Sequence, residues 1–155
     1  MAMINIKESI IPSVSLGGVI LGEHIGRYEY LLDKHVVKYV QDAIFSVKYK
    51  FPDYHLSISV DVRNGSIYKI TAHSGYIGGM NGIFIGDPVI KIPKSFIYDD
   101  CDEGYMDKNM DGVIIQTDID DPLPEELANA KVGIIAVFLP SAFKLSSERS
   151  NRENA

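Results

Sequence analysis

The residues with the clearest chemical spacing are Asp107, Asn109, Asp111, Val113 and Asp118. They match the first, third, fifth, seventh and twelfth positions of a calcium loop, in which short oxygen ligands at alternating positions wrap a hard cation and a glycine, here Gly112, permits the sharp bend. Two departures weigh against that chemistry. The closing residue is Asp118, one methylene shorter than the bidentate Glu of the motif, and the flanks read as loop before and strand after, not as two helices. Asp111-Gly112 ahead of an alternating apolar run is also an ordinary hairpin signal.

This loop lies inside a larger feature. Tyr98–Glu126 holds 11 of the 21 acidic residues against one base, Lys108, while the rest of the chain sets 10 acids against 14 Lys and Arg. The net charge of −6 therefore divides into about −10 on this segment and about +4 elsewhere. A concentrated negative field suits capture of a basic protein or a cation and argues against nucleic acid as a direct ligand. Tyr98, Asp99, Asp100, Asp102, Glu103, Tyr105, Asp118, Asp120 and Asp121 are the candidate partner-binding residues, the carboxylates to steer encounter and the rings to supply rigid contact area. The alternative is a solvated loop whose charge serves only solubility.

No arrangement points to an enzyme or a cofactor. GxSxG, HExxH and a phosphate-cradling glycine loop are absent from the sequence, and the carboxylates crowd into one segment instead of facing a base or nucleophile. The lone Cys101 sits among Asp100, Asp102 and Glu103, without the electropositive neighbours that make a nucleophile. His24, His35, His55 and His73 are scattered, and no second cysteine completes a zinc set. With no basic leader and no apolar run of membrane-spanning length, the expectation is a cytoplasmic protein with no membrane contact.

The elements that must position these residues read as one α+β domain over 1–143, a mainly antiparallel sheet of about six strands with one or two short helices, followed by a disordered tail over 144–155. Ile10–Val14, interrupted by Pro12, suits an edge strand or an irregular lead-in sooner than a central strand. Leu16–Ile25 (LGGVILGEHI) returns 64 residues later as Met80–Val89 (MNGIFIGDPV), a candidate internal duplication of a device in which an extended segment turns on glycine and starts a helix with an acidic residue. The first copy leads into a helix over Glu23–Lys34, on the spacing of Ile25, Tyr28, Leu31 and Leu32. The second leads into a short or degenerate one over Pro88–Phe96.

Between the copies, Phe45, Val47, Tyr49 and Phe51 alternate with Ser46, Lys48 and Lys50 as a strand with one basic face. Leu56–Ala72 is a hairpin. A three-residue loop, Arg63–Gly65, pairs Val60 with Tyr68, Ile58 with Ile70 and Leu56 with Ala72, keeps Lys69 and Thr71 off the apolar face, and sets His55 opposite His73. Two imidazoles without a third ligand mean a polar sheet face sooner than a metal site. Val113–Ile119 and Val132–Leu139 read as strands, with a turn of helix over Pro122–Ala130 between them.

Gly17–Ile25, Tyr54–Ala72, Gly82–Pro88, the Tyr98-Asp99-Asp100 block, Asp111–Asp118 and Ile134–Phe138 together resemble small immunity proteins encoded beside contact-dependent growth inhibition and other polymorphic bacterial toxins. The resemblance spans roughly Ile10–Phe138. It implies a cytoplasmic protein that binds a cognate toxin domain, often a basic nuclease, and blocks its active site or another surface needed for activity. It assigns no residue to the contact, so the site residues named above rest on charge alone.

Overall fold

A computed structural model describes residues 3–34 and 38–141 of the chain; the expected tail lies outside them. Two short strands, β1 (Ser15–Leu16) and β2 (Val19–Ile20), form a separate antiparallel pair. The main sheet has eight antiparallel strands: β3 (Lys38–Ala43), β4 (Ser46–Phe51), β5 (Leu56–Asp61), β6 (Ser66–Ala72), β7 (Phe96–Asp99), β8 (Gly104–Asp107), β9 (Met110–Thr117) and β10 (Val132–Phe138). Helix is sparse, comprising three 3-10 turns, α1 (Glu29–Lys34) and the single turn α2 (Pro124–Leu127). One face of the sheet carries the core. Ile4, Ile10, Leu16, Val19, Tyr28, Leu31, Met80 and Ile83 cover it with buried side chains from the segments outside the sheet. No helix among the described residues is long and apolar enough to cross a membrane.

The strand order β3-β4-β5-β6-β10-β9-β8-β7 reads as two four-stranded meanders joined back to back at β6 and β10. The repeated glycine motif opens each half and makes the same bonds in both. Gly18 and Gly82 have φ of 84° and 83°, and Gly22 and Gly86 have 88° and 94°, a backbone that an L side chain rarely adopts. Gly22 N donates to Ile67 O of β6 at 2.8 Å, and Gly86 N donates to Val132 O of β10 at 2.7 Å. The return bonds, Ile67 N to Glu23 O and Val132 N to Asp87 O, measure 2.9 and 2.8 Å. Both copies then make an i,i+4 ion pair, Glu23–Arg27 at 3.0 Å and Asp87–Lys91 at 3.8 Å. Even the bulges correspond, with Tyr68 the surplus residue of β6 and Gly133 that of β10.

Where the structure departs from the sequence reading, side-chain chemistry explains the shift. The helix expected from Glu23 begins as a 3-10 turn at Ile25, because His24 is still bridged to Ser66 and Ile25 N donates to Gly65 O at 2.9 Å, which keeps the chain extended. His24 Nδ1 caps the turn by accepting from Gly26 N at 2.9 Å. Glu23 is occupied elsewhere: it holds Arg27 and accepts from the buried Tyr28 hydroxyl at 2.9 Å, and burial, the largest cause, helps push that phenol up to about 12. The second copy yields a 3-10 turn over Val89–Lys91.

The Leu56–Ala72 hairpin has the expected pairs from Leu56–Ala72 to Ser59–Lys69, but Val60 pairs with Ile67 instead of Tyr68. Asp61 and Ser66 close a four-residue loop, stabilised by Arg63 Nη2 on Asp61 at 2.8 Å and by Ser66 N donating to Asn64 Oδ1 at 2.9 Å. The surplus residue is thereby moved to Tyr68, whose hydroxyl bonds Ser46 on the face opposite the core. Strand β4 begins at Ser46, after Phe45 at φ 66° in the turn. Strands β3, β7 and β8 were not expected at all.

His73 N donates to His55 O at 2.8 Å, so the two histidines stand opposite each other as expected, but their rings go separate ways. His55 is left-handed (φ 53°) at the end of a 3-10 turn and its ring lies over Gly75, whereas His73 Nε2 meets Ser57 Oγ at 2.8 Å. Burial first, then the charges of Lys48 and Lys50, holds His73 below the usual imidazole value. A histidine lowered by folding stabilises the native state above its unfolded pKa, near 6.5, and loses that contribution as pH falls through its folded value. The thermal midpoint should therefore drop on acidification from pH 7 towards 5 more in the native protein than in His73→Asn, a difference that calorimetry over a pH series measures.

Candidate functional site

The acidic segment includes β8, β9 and the end of β7, with most of its carboxylates in the turns between and after these strands. β7 pairs with β8 in unbroken register, Phe96 opposite Asp107, Ile97 opposite Met106, Tyr98 opposite Tyr105 and Asp99 opposite Gly104. Asp and Glu are poor strand formers, so the strands exist because β8 pairs with the apolar β9 and β9 with β10. Tyr98 and Tyr105 complete a cross-strand row that runs Phe51, Leu56, Ala72, Ile135, Ile115, Tyr105, Tyr98 over the core face. The two rings meet edge to face, centroids 5.2 Å apart and planes at 69°. Tyr105 packs against the core, and burial raises its phenol pKa. Half-buried there, it serves packing as well as the surface beside Tyr98. Tyr98 is the outer member of the pair.

The tip of the hairpin, residues 100–103, is held by its own side chains and by β9. Asp99 Oδ1 accepts from Cys101 N at 2.8 Å and from Asp102 N at 3.2 Å, and Glu103 adopts φ 53° before β8 starts. Gly104 lies where a Cβ would sit 2.6 Å from Ile114 Cγ1, so the strand can lie flat only with glycine here. Gln116 Nε2 donates to Asp102 O at 3.3 Å. Asp102 itself is half-buried, its carboxyl raised by burial and by Asp99, with Lys69 opposing.

Of the nine residues expected to bind a partner, the structure gathers six at one end of the sheet: Tyr98, Asp99, Asp100, Asp102, Glu103 and Asp121. The Tyr98 phenol shows the grouping, raised by burial first and then by the charges of Glu103, Asp100 and Asp121. Asp99, Asp100, Glu103 and Asp121 are exposed. Asp118 is used structurally, accepting from Lys131 N at 3.0 Å and so tying the chain after β9 to the start of β10. Asp120 is exposed.

The structure does not bring the five calcium-loop positions together. Asp107 and Met110 are a cross-strand pair, so Lys108 and Asn109 form a two-residue hairpin turn, with Asn109 N donating to Asp107 Oδ1 at 2.9 Å. Asp111 and Val113 then run along β9 and Asp118 follows its far end, roughly 20 Å from Asp111 in extended chain. Five positions that a calcium loop wraps around one ion are strung out along a hairpin. Among the described residues no group of three or more His, Cys, Asp and Glu is placed to hold a metal.

Sequence reasoning missed Ile97, 63% exposed in the middle of β7 on the last strand of the sheet. Its signal was the alternation of Phe96 (buried), Ile97 (exposed) and Tyr98 (half-buried), obscured by the acids that follow.

No family model and no curated protein matches the sequence. Among solved structures, the chain is similar to the uncharacterized protein yfeY from Escherichia coli, with a TM-score of 0.57 and 15% identity over 84% of this chain and 99% of that one. That likeness is one of fold.

Because Tyr105 ends a core row, Tyr105→Ala should cost about 2 kcal/mol or more in urea unfolding, a partial large-to-small penalty, while Glu103→Ala stays within about 0.5 kcal/mol. Equal effects of the two substitutions would remove Tyr105 from the core.

Proposed function

We propose that this chain is an immunity protein that binds and neutralises a cognate bacterial toxin domain, basic in character and a nuclease by class, through the acidic end of the β7–β8 hairpin. The observation that carries this reading is the convergence of Asp99, Asp100, Glu103 and Asp121 around Tyr98 on an ordered strand pair, on a chain whose remaining charge is positive. Loop carboxylates on a rigid scaffold retain their geometry when a partner arrives, so little ordering entropy opposes binding. Exposed carboxylates of one sign raise the encounter rate with a basic surface, and the half-buried Tyr98 ring adds apolar contact beside them. On this reading the protein acts in the cytoplasm by occlusion, without catalysis or a cofactor, and does not contact nucleic acid itself.

Kinetics against the polypeptide encoded immediately upstream of the gene test this. Reversing Asp100, Glu103 and Asp121 to Lys together should slow association about tenfold or more at low salt and flatten its salt dependence, since exposed rim charges act through the on-rate. An unchanged association rate would mean that these carboxylates face solvent in the complex.

A further inference from the structure

The outer side of β7 is an open sheet edge. β7 is the last strand, its ladder to β8 lies on one side only, and beyond that ladder its one backbone bond among the described residues is Phe96 N to Pro93 O at 3.0 Å. Exposed edges are commonly blunted by Lys, Pro, a bulge or a covering element. Phe96–Asp99 contains neither Lys nor Pro, and its register with β8 is unbroken. It presents instead Ile97, 63% exposed. The strand and its turn, residues 96–103, carry four carboxylates and no base.

Resting on the acidic hairpin as the partner surface, we infer that the β7 edge takes up an extended basic segment of the partner as a ninth strand of the sheet. Added strands gain affinity from main-chain hydrogen bonds and specificity from alternate side chains. Here the incoming strand would set an apolar residue beside Ile97 and place Lys or Arg near Asp99, Asp100, Glu103 and Asp121. Pairing of β7 with the β7 of a second copy is disfavoured, since the same stretch would bring four more carboxylates and no base. The device requires no re-registering of the hairpin, because β7 already pairs with β8 without a break.

Two synthetic peptides separate the edge from the charge. One is a heptapeptide alternating Lys and Val; the other has the same sequence with every backbone nitrogen methylated, which preserves charge and removes the ladder donors on both of its edges. Fluorescence anisotropy at low salt should show the unmethylated peptide binding about tenfold tighter or more, the worth of one or two net hydrogen bonds. Amide exchange at Ile97, Tyr98 and Asp99 should slow with that peptide alone. Equal binding of both, weakened by Asp100→Lys and Glu103→Lys, would overturn the edge and leave the acidic surface standing. Binding of neither would overturn both. Self-association of the protein through β7 in sedimentation, without peptide, would assign the edge to a second copy and overturn the inference.

Discussion

The ladder between β6 and β10 is the constraint on which the rest of the molecule depends. Ile70 pairs with Val137, Thr71 with Ala136 and Ala72 with Ile135, and the six residues are buried. Each four-stranded meander would otherwise end in a flat apolar edge, so joining them closes the two most exposed strand edges against each other. The same two strands anchor the glycine motifs, since Gly22 and Gly86 donate to Ile67 of β6 and Val132 of β10. Without the seam neither helix-starting device has its platform, and the row of side chains that ends in Tyr105 and Tyr98 has no middle.

Across this seam the halves share a backbone and differ in surface. Phe45 and Glu103 each end the turn before β4 or β8 in a left-handed conformation, with φ of 66° and 53°, although the ladder register sets them two residues apart. One turn is apolar and the other acidic. Tyr49 opposite Ile58 corresponds to Tyr105 opposite Ile115, so Lys48 and Lys50 of the first half stand where Gly104 and Met106 stand in the second. On the face away from the core, the bonded pair Ser57 and His73 of the first half gives way to Ile114 and Phe138, which form a small apolar cluster with Ala136. The charge asymmetry visible along the chain is thus an asymmetry between two copies of one scaffold, whose core rows stayed alike while their outward residues diverged.

Those physical differences also explain what was legible in the sequence. Strong alternation flanked by turn residues disclosed β4, β5, β6 and β9, a continuous apolar run disclosed β10, and the spacing of Gly18, Gly22, Gly82 and Gly86 disclosed the duplication because positive φ leaves few substitutes for glycine. Strands β7 and β8 were illegible because their acids contradict strand propensity, and pairing with β9 overrides it. The bulge at Tyr68 was illegible because hydrogen bonds of Asp61, Arg63 and Asn64, not apolar pattern, set the loop length. The acidic residues were found by charge counting, yet that count could not distinguish Asp118, which bonds Lys131 N, from Asp100, which faces water. Nor could it distinguish Tyr105, packed against the core, from Tyr98 at the rim.

Backbone hydrogen exchange of the whole chain, alone and with the polypeptide encoded immediately upstream, tests most directly whether the acidic half is the working surface. The account predicts new protection concentrated in Phe96–Asp107 and around Asp121, with β3–β6 unchanged. Protection confined to Ser46–Phe51, the strand that carries Lys48 and Lys50, would contradict it and move the contact to the basic half.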